Sequence, residues 1–218
     1  MPLKYKKMIV LFSMGIMLIG LGTFSLVSPG FYSSFGSHSS KTNKASKAST
    51  FGAIQSVNGK SKDAVQSELE QLVWRYYTAK QQVDMETIEQ CVSDVTQIDE
   101  KKLLAESAYI EAYDNIQCYV LDGAKKGSYC VYVYYDVKIY DIDTLIPSLG
   151  FLYVNSKEDG SFQIYLGTLE SKEQVYMDEL NESTRVKELV ASVQKKYQSV
   201  ISSDSKVREF YEMLESVN

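Results

Sequence analysis

Apolar and polar positions along the chain fall into stretches of different period, and each period predicts a different element. From Met8 to Val27 the sequence reads MIVLFSMGIMLIGLGTFSLV, and no Asp, Glu, Lys or Arg occurs between Met8 and Ser40. Twenty residues at about 1.5 Å per residue reach about 30 Å, the thickness of a bilayer's hydrocarbon core. The basic KYKK before the run, with no charge close after it, directs the N-terminus to the cytoplasm and the rest of the chain outward. The expectation is a cytoplasmic basic segment at 1–7 and a single-pass transmembrane signal anchor at 8–27. The competing cleaved signal peptide has an apolar core of about 7–15 residues, shorter than this run, and no A-x-A site follows. The first cysteine is Cys91, so no lipidated cysteine follows either.

Residues 28–61 are rich in Ser, Gly, Thr, Asn and Lys, and Pro29 stops the apolar helix. Such a stretch has too few apolar residues to bury and reads as a flexible linker, with a mean reach of about 33 Å for about 35 residues. Lys41, Lys44 and Lys47 recur there at regular spacing. They fit a solvated linker, or contact with an anionic wall polymer or lipid surface.

Beyond the linker the apolar spacing becomes helical. Val65, Leu69, Leu72, Val73 and Tyr76 share one face of a helix opened by Ser61 or Asp63. Asp84 caps a short helix to about Val92, and Asp99 with Glu100 opens a third that carries Leu103 and Leu104. From Tyr109 onward the period falls to two. Runs at Ile110–Leu121, Tyr129–Tyr140, Gly150–Asn155 and Phe162–Leu169 are separated by DGAKKG, DIDTLIPSL and SKEDG, which predicts an antiparallel four-stranded meander. Two helices close the chain, one carrying Val186, Leu189, Val190, Val193, Tyr197, Val200 and Ile201. The other carries Val207, Phe210, Tyr211 and Leu214 after a cap at Asp204. The fold class is α+β: a curved antiparallel four-stranded sheet packed by N-terminal helices on one face, with two C-terminal helices, in one extracytoplasmic domain over 62–218.

The second strand sorts its residues by face. Tyr129, Val131, Val133, Tyr135, Val137 and Ile139 form the core side, and Cys130, Tyr132, Tyr134, Asp136, Lys138 and Tyr140 the other. Tyrosine joins apolar area to a polar tip, so the second side fits either a half-wet sheet face or a binding surface. Tyr132, Tyr134 and Tyr140, with Tyr153 and Tyr165 from later strands, are the candidate ligand or partner face.

Charge and rare residues exclude more than they assign. The chain carries a net charge of −5, and removing Lys4, Lys6 and Lys7 leaves −8 for the remainder, which speaks against a nucleic-acid surface. The only histidine, His38, lies in the linker, so no Ser-His-Asp, Cys-His or His-based zinc site is expected in the folded part. The cysteines lack C-x-x-C spacing, and GAKKG lacks the context of a phosphate-binding loop. No catalytic residue, metal or cofactor is assigned. Asp114, Asp136, Asp141 and Asp143 fit turn caps, paired acids or a calcium site. Cys118 and Cys130 are symmetric about residue 124, so a symmetric hairpin would allow a disulfide between them; aligning the apolar faces instead puts them on opposite sides.

LVWRYYTAKQQVDMETIEQCV, Leu72–Val92, followed by the meander, resembles the opening of the nuclear-transport-factor-2-like or cystatin-like α+β roll over about Lys62–Leu169. YIEAYDNIQCYV, YCVYVYYDVKIYDIDTLIPSLGFLYV and DGSFQIYLGTL also resemble segments of uncharacterised membrane-anchored extracytoplasmic proteins of gut clostridia. The resemblance implies a roll carried on one membrane helix. Such rolls serve as ligand pockets, isomerase-like enzymes and assembly modules, including subunits of conjugation or secretion channels. The sequence therefore supports a non-catalytic binding module holding an envelope protein or wall-associated ligand near the membrane. A channel subunit and a small-molecule isomerase-like enzyme using a buried carboxylate are the alternatives.

Overall fold

The computed structural model describes residues 59–216. The candidate anchor at 8–27 and most of the linker lie outside these residues. Among the described residues no helix is long and apolar enough to cross a membrane.

Helix α1, Lys62–Gln82, begins where Ser61 Oγ accepts the Ala64 amide at 3.3 Å. It ends at Val83, which takes φ 55° and donates its amide back to the Ala79 and Lys80 carbonyls. A β-branched residue in the left-handed region is strained, so the stop is held by its surroundings and by the cap of the next helix. That helix, α2 at Met85–Cys91, is capped by Asp84, whose carboxylate accepts the Thr87 amide at 3.1 Å and hydroxyl at 2.6 Å. Asp99 caps α3, Glu100–Ser107, in the same way through the Lys102 amide. Leu103 faces inward at 6% exposure and its neighbour Leu104 points out at 61%.

Four strands follow in a meander, β1 Ile110–Asp122, β2 Ser128–Ile139, β3 Ile146–Ser156 and β4 Phe162–Ile164, each antiparallel to the one before. Two boundaries differ from the sequence expectation. Strand β3 starts at Ile146, inside the segment read as a turn, because buried Ile146 and Leu149 pair with Val137 and Tyr134; Pro147 is tolerated because β4 pairs only with Val154–Ser156 and leaves β3 an edge at this end. Strand β4 stops at Ile164 instead of running to Leu169, where its carbonyl accepts the Ser93 amide and the next residues turn toward the α2 end. Register breaks in β1 at 110–112 and 114–117, with Asn115 at φ 52°, mark bulges.

Three helices, not two, close the described chain: α4 Ser171–Glu182, α5 Thr184–Ser203 and α6 Ser205–Ser216. The additional helix is α4, which opens on a capping box between Glu170 and Glu173. The helices also do not gather on one face. The core side of the sheet, with Tyr129, Val131, Val133, Tyr135, Val137 and Ile139, packs against α1, α2, α3 and the Val207–Tyr211 side of α6. Met177 of α4 and Val186, Leu189 and Val193 of α5 cover Cys130, Tyr132, Tyr134, Leu149 and Tyr153 on the other. The architecture is three layers, helix, sheet and helix.

Candidate functional site

The alternation of β2 assigns faces as the sequence predicts, but the second face is not open. Tyr132, Tyr134 and Tyr153 are buried under α4 and α5. Each hydroxyl has a fixed partner: Tyr132 donates to Asn181 Oδ1 at 2.7 Å, Tyr134 to Asp136 Oδ1 at 2.7 Å and Tyr153 to Glu173 Oε1 at 3.0 Å. Burying each of the four roofing side chains contributes about 1.5–3 kcal/mol. Lifting the roof would therefore cost on the order of 10 kcal/mol, comparable to the whole stability of a domain. Of the five candidate tyrosines, Tyr165 is half-buried with its hydroxyl on the Thr168 carbonyl, and only Tyr140 is well exposed, at 51%. The structure thus gathers three of them into a core and leaves Tyr140 apart.

Of the four aspartates singled out near the strand ends, Asp114 stands directly across the β1–β2 ladder from Asp136, while Asp141 and Asp143 lie in the β2–β3 turn. Asp136 is buried, and its second oxygen accepts the Asn115 side-chain amide at 2.8 Å. The bulge that turns Asn115 to positive φ is what brings that amide within reach. Asp143 lies 3.6 Å from Lys138, and Asp141 occupies the β2–β3 turn at φ 63°. Among the described residues no group of three or more His, Cys, Asp or Glu side chains is arranged to hold a metal ion.

Cys118 and Cys130 are both free thiols, so the conceivable disulfide is not formed. Cys118 pairs across the ladder with Val133, and Cys130 with Leu121. Their residue numbers sum to an even value while the local pairs sum to an odd one, so the two thiols point to opposite faces. Cys130 donates instead to Met177 Sδ at 3.2 Å beneath α4.

A polar cluster that sequence reasoning missed lies on the core face. The Tyr77 ring contacts those of Tyr113 and Tyr135 at 5.4 and 4.9 Å, and Tyr113 and Tyr135 meet at 5.6 Å. Lys80, itself buried, places its ammonium 5.8 Å from the Tyr77 ring centre and 5.5 Å from that of Tyr113, a cation over two aromatic faces. Burial pushes the Lys80 ammonium below its usual range, against the opposing charge of Glu106. Burial likewise raises the Glu106 carboxyl, with Lys80 and Lys102 opposing. The signal was available: Lys80 lies four residues after Tyr76 and seven after Val73, on the apolar stripe of α1.

Large apolar side chains remain on the outside. Trp74 is 62% exposed on α1, and Tyr109 stacks edge-on with Phe210 of α6 at 6.0 Å, beside exposed Tyr140, whose amide donates to the Tyr109 carbonyl. The six lysines before Gly59, with no acid among those residues, leave the remainder at −11 against −5 for the whole chain. Comparison with known proteins returns no match to a family model, to a curated protein or to a solved structure.

Proposed function

We propose that the protein is a membrane-anchored, extracytoplasmic interaction module that holds an envelope protein or wall-associated ligand near the membrane. The anchor rests on the uncharged Met8–Val27 run behind KYKK. The observation that carries the binding reading is that both sheet faces are roofed by helices, while Trp74, Leu104, Tyr109 and Tyr140 stay exposed outside. Recognition then falls to the outer surface. The buried carboxylates of Asp136 and Glu173 hold the fold together, each accepting hydrogen bonds from neighbouring side chains. A domain at −11 is suited to basic partners and repels polyanions.

A second reading, a roll-type enzyme, is favoured by one arrangement: Glu106 raised and Lys80 lowered beside a tyrosine cluster, the opposed tuning that acid–base pairs use. A third, a channel subunit, would use the same outer surface for assembly.

Protease treatment of intact cells carrying the full chain with a C-terminal tag tests the topology. Loss of the tag without lysis is expected, and its survival until lysis sinks the proposal. Cross-linking in membranes followed by capture of the chain tests the module. Recovery of a defined envelope protein or wall fragment is expected. Recovery of channel subunits, or of nothing, turns the assignment to assembly or to the Lys80–Glu106 chemistry.

A further inference from the structure

The outer edge of β1 and the side of α1 that runs along it form a surface with its own character. Glu70, Trp74, Tyr77 and Gln81 are spaced at i, i+4, i+7 and i+11, one stripe of the helix. Two of the four are tied to β1 in order: Gln81 donates to the Glu111 carbonyl at 2.9 Å, and the Tyr77 ring meets that of Tyr113 at 5.4 Å. Trp74 falls between Tyr77 and Glu70 and therefore lies alongside the stretch that follows Tyr113, where the Asn115–Ile116 bulge sits. It is the chain's only tryptophan and stands 62% exposed.

Beside it the sheet is open. Strand β1 ends the order β1-β2-β3-β4, and no strand among the described residues pairs with its outer side. An edge strand directs alternate N–H and C=O groups away from its neighbour, a template for an added strand. From Gln117 to Asp122 the pairing with β2 runs without a break, so about six residues, about 20 Å, present a regular edge.

Charge selects the occupant. The segment from Ile110 to Asp122 contains Glu111, Asp114 and Asp122 and no Lys or Arg, and Glu70 adds a fourth acid from α1. A second copy paired antiparallel through β1 would bring two sets of these carboxylates together, which disfavours self-association through this edge. An extended segment with cations flanking a β-forming centre would meet Asp122 at one end of the regular run and Asp114 beyond the bulge at the other, with Trp74 available to cover an apolar or cationic side chain.

We propose that the outer edge of β1, together with Trp74, is the docking site for an extended, Lys- or Arg-bearing segment of a partner protein, which joins the sheet as a fifth strand. This rests on the interaction-module reading and names its surface and partner class.

The probe is a synthetic peptide of about ten residues with lysines flanking a Val/Thr centre, added to the full-length chain in detergent micelles. Trp74 emission is expected to shift to the blue and saturate, and amide hydrogen exchange at 117–122 to slow by about tenfold or more. A glutamate-for-lysine peptide and one with a central proline should do neither. Glu70→Lys with Asp114→Lys, both at surface positions, should weaken binding about tenfold or more while leaving the circular dichroism unchanged. No response of Trp74 or of these amides at about 1 mM peptide overturns the proposal, as does equal binding of the glutamate peptide. Two further results assign the edge elsewhere: protection rising with protein concentration alone points to a second copy, and Trp74 exposed only on replacing Lys41, Lys44 and Lys47 with Ser points to the chain's own linker. If cross-linking recovers a partner whose binding ignores Glu70→Lys and Asp114→Lys, the module reading stands and this surface falls.

Discussion

Tyr153 of β3 donates its hydroxyl to Glu173 Oε1 at 3.0 Å, and through this bond the sheet holds the first turn of α4. The same carboxylate accepts the Glu170 amide at 2.9 Å through its other oxygen, and Lys125 from the β1–β2 hairpin lies 3.3 Å from it. Burial pushes the Glu173 carboxyl up, but the Glu170 amide, Lys125 and the Tyr153 hydroxyl outweigh it and hold the group below the usual glutamate range. Glu173 therefore contributes stability above the unfolded-chain value of about 4.3, and that contribution is lost as pH falls through the lower folded value. Glu173→Ala also leaves the Tyr153 hydroxyl with Ser128 Oγ, at 3.0 Å, as its remaining partner. A loss of about 1–3 kcal/mol at pH 7 is expected in urea unfolding, with a shallower decline below pH 4 than in the parent chain. An unchanged acid profile would count against this latch.

Gly150 faces Tyr77 across the core layer. A Cβ added at Gly150 would stand 2.6 Å from the Tyr77 hydroxyl and 3.4 Å from the Tyr135 ring. Tyr77 is buried and cannot swing aside freely. Gly150→Ala should cost about 1–3 kcal/mol, and Tyr77→Phe in the same chain should recover part of that by removing the clashing oxygen. A double-mutant cycle by thermal unfolding measures the coupling. Strict additivity would show that the two positions do not meet.

What the sequence discloses is local, and what it hides is which surfaces meet. Ser61, Asp84, Asp99 and Asp204 are legible as caps because a short polar side chain before an apolar stripe has a specific use for the first amides of a helix. The two faces of β2 follow from a period of two. Helix α4 is not legible in the same way: of Val175, Tyr176, Met177 and Leu180 only Met177 is fully buried, so the stripe is weak, and its capping box uses Glu170 where Ser or Thr is usual. Nor does the stripe of α5 say which face of the sheet it covers. That choice turns Tyr132, Tyr134 and Tyr153 from a candidate binding face into a second core. Trp74 shows the converse: periodicity leaves it off the apolar stripe, but only the pairing of α1 with β1 sets it beside an open sheet edge.

The three thiols give a direct test of the hairpin register. Burial, with a smaller contribution from Glu70, raises the Cys118 thiol to about 12, and burial with Asp122 does the same for Cys130. At pH 8 the folded chain then holds about a thousandfold less thiolate at these positions than a free cysteine. Iodoacetamide should label neither at an appreciable rate in the folded protein. After denaturation without reductant, mass spectrometry should find three adducts. One adduct would mean a disulfide and a register shifted by an odd number of residues.

Lys80 gives the fold a second dependence on pH. Its ammonium sits over Tyr77 and Tyr113 with its proton affinity lowered by burial, so the folded chain releases that proton at a lower pH than the unfolded chain does. Between the two values the unfolded state binds more protons, and stability rises with pH, the gain being complete only above the unfolded value of about 10.4. Below the folded value both states hold the proton, and the folded chain carries the full cost of a desolvated ammonium. Lys80→Met fills similar space against the same rings without the charge. Replacing a buried ion with a packed apolar side chain is often neutral or stabilising, so a gain of about 1 kcal/mol at pH 7 is expected, narrowing at pH 10. Urea unfolding of the two chains at both pH values measures it. A loss at pH 7 would mean that the tyrosine faces and Glu106 outweigh desolvation, and would place the cation among the groups the fold is built to retain.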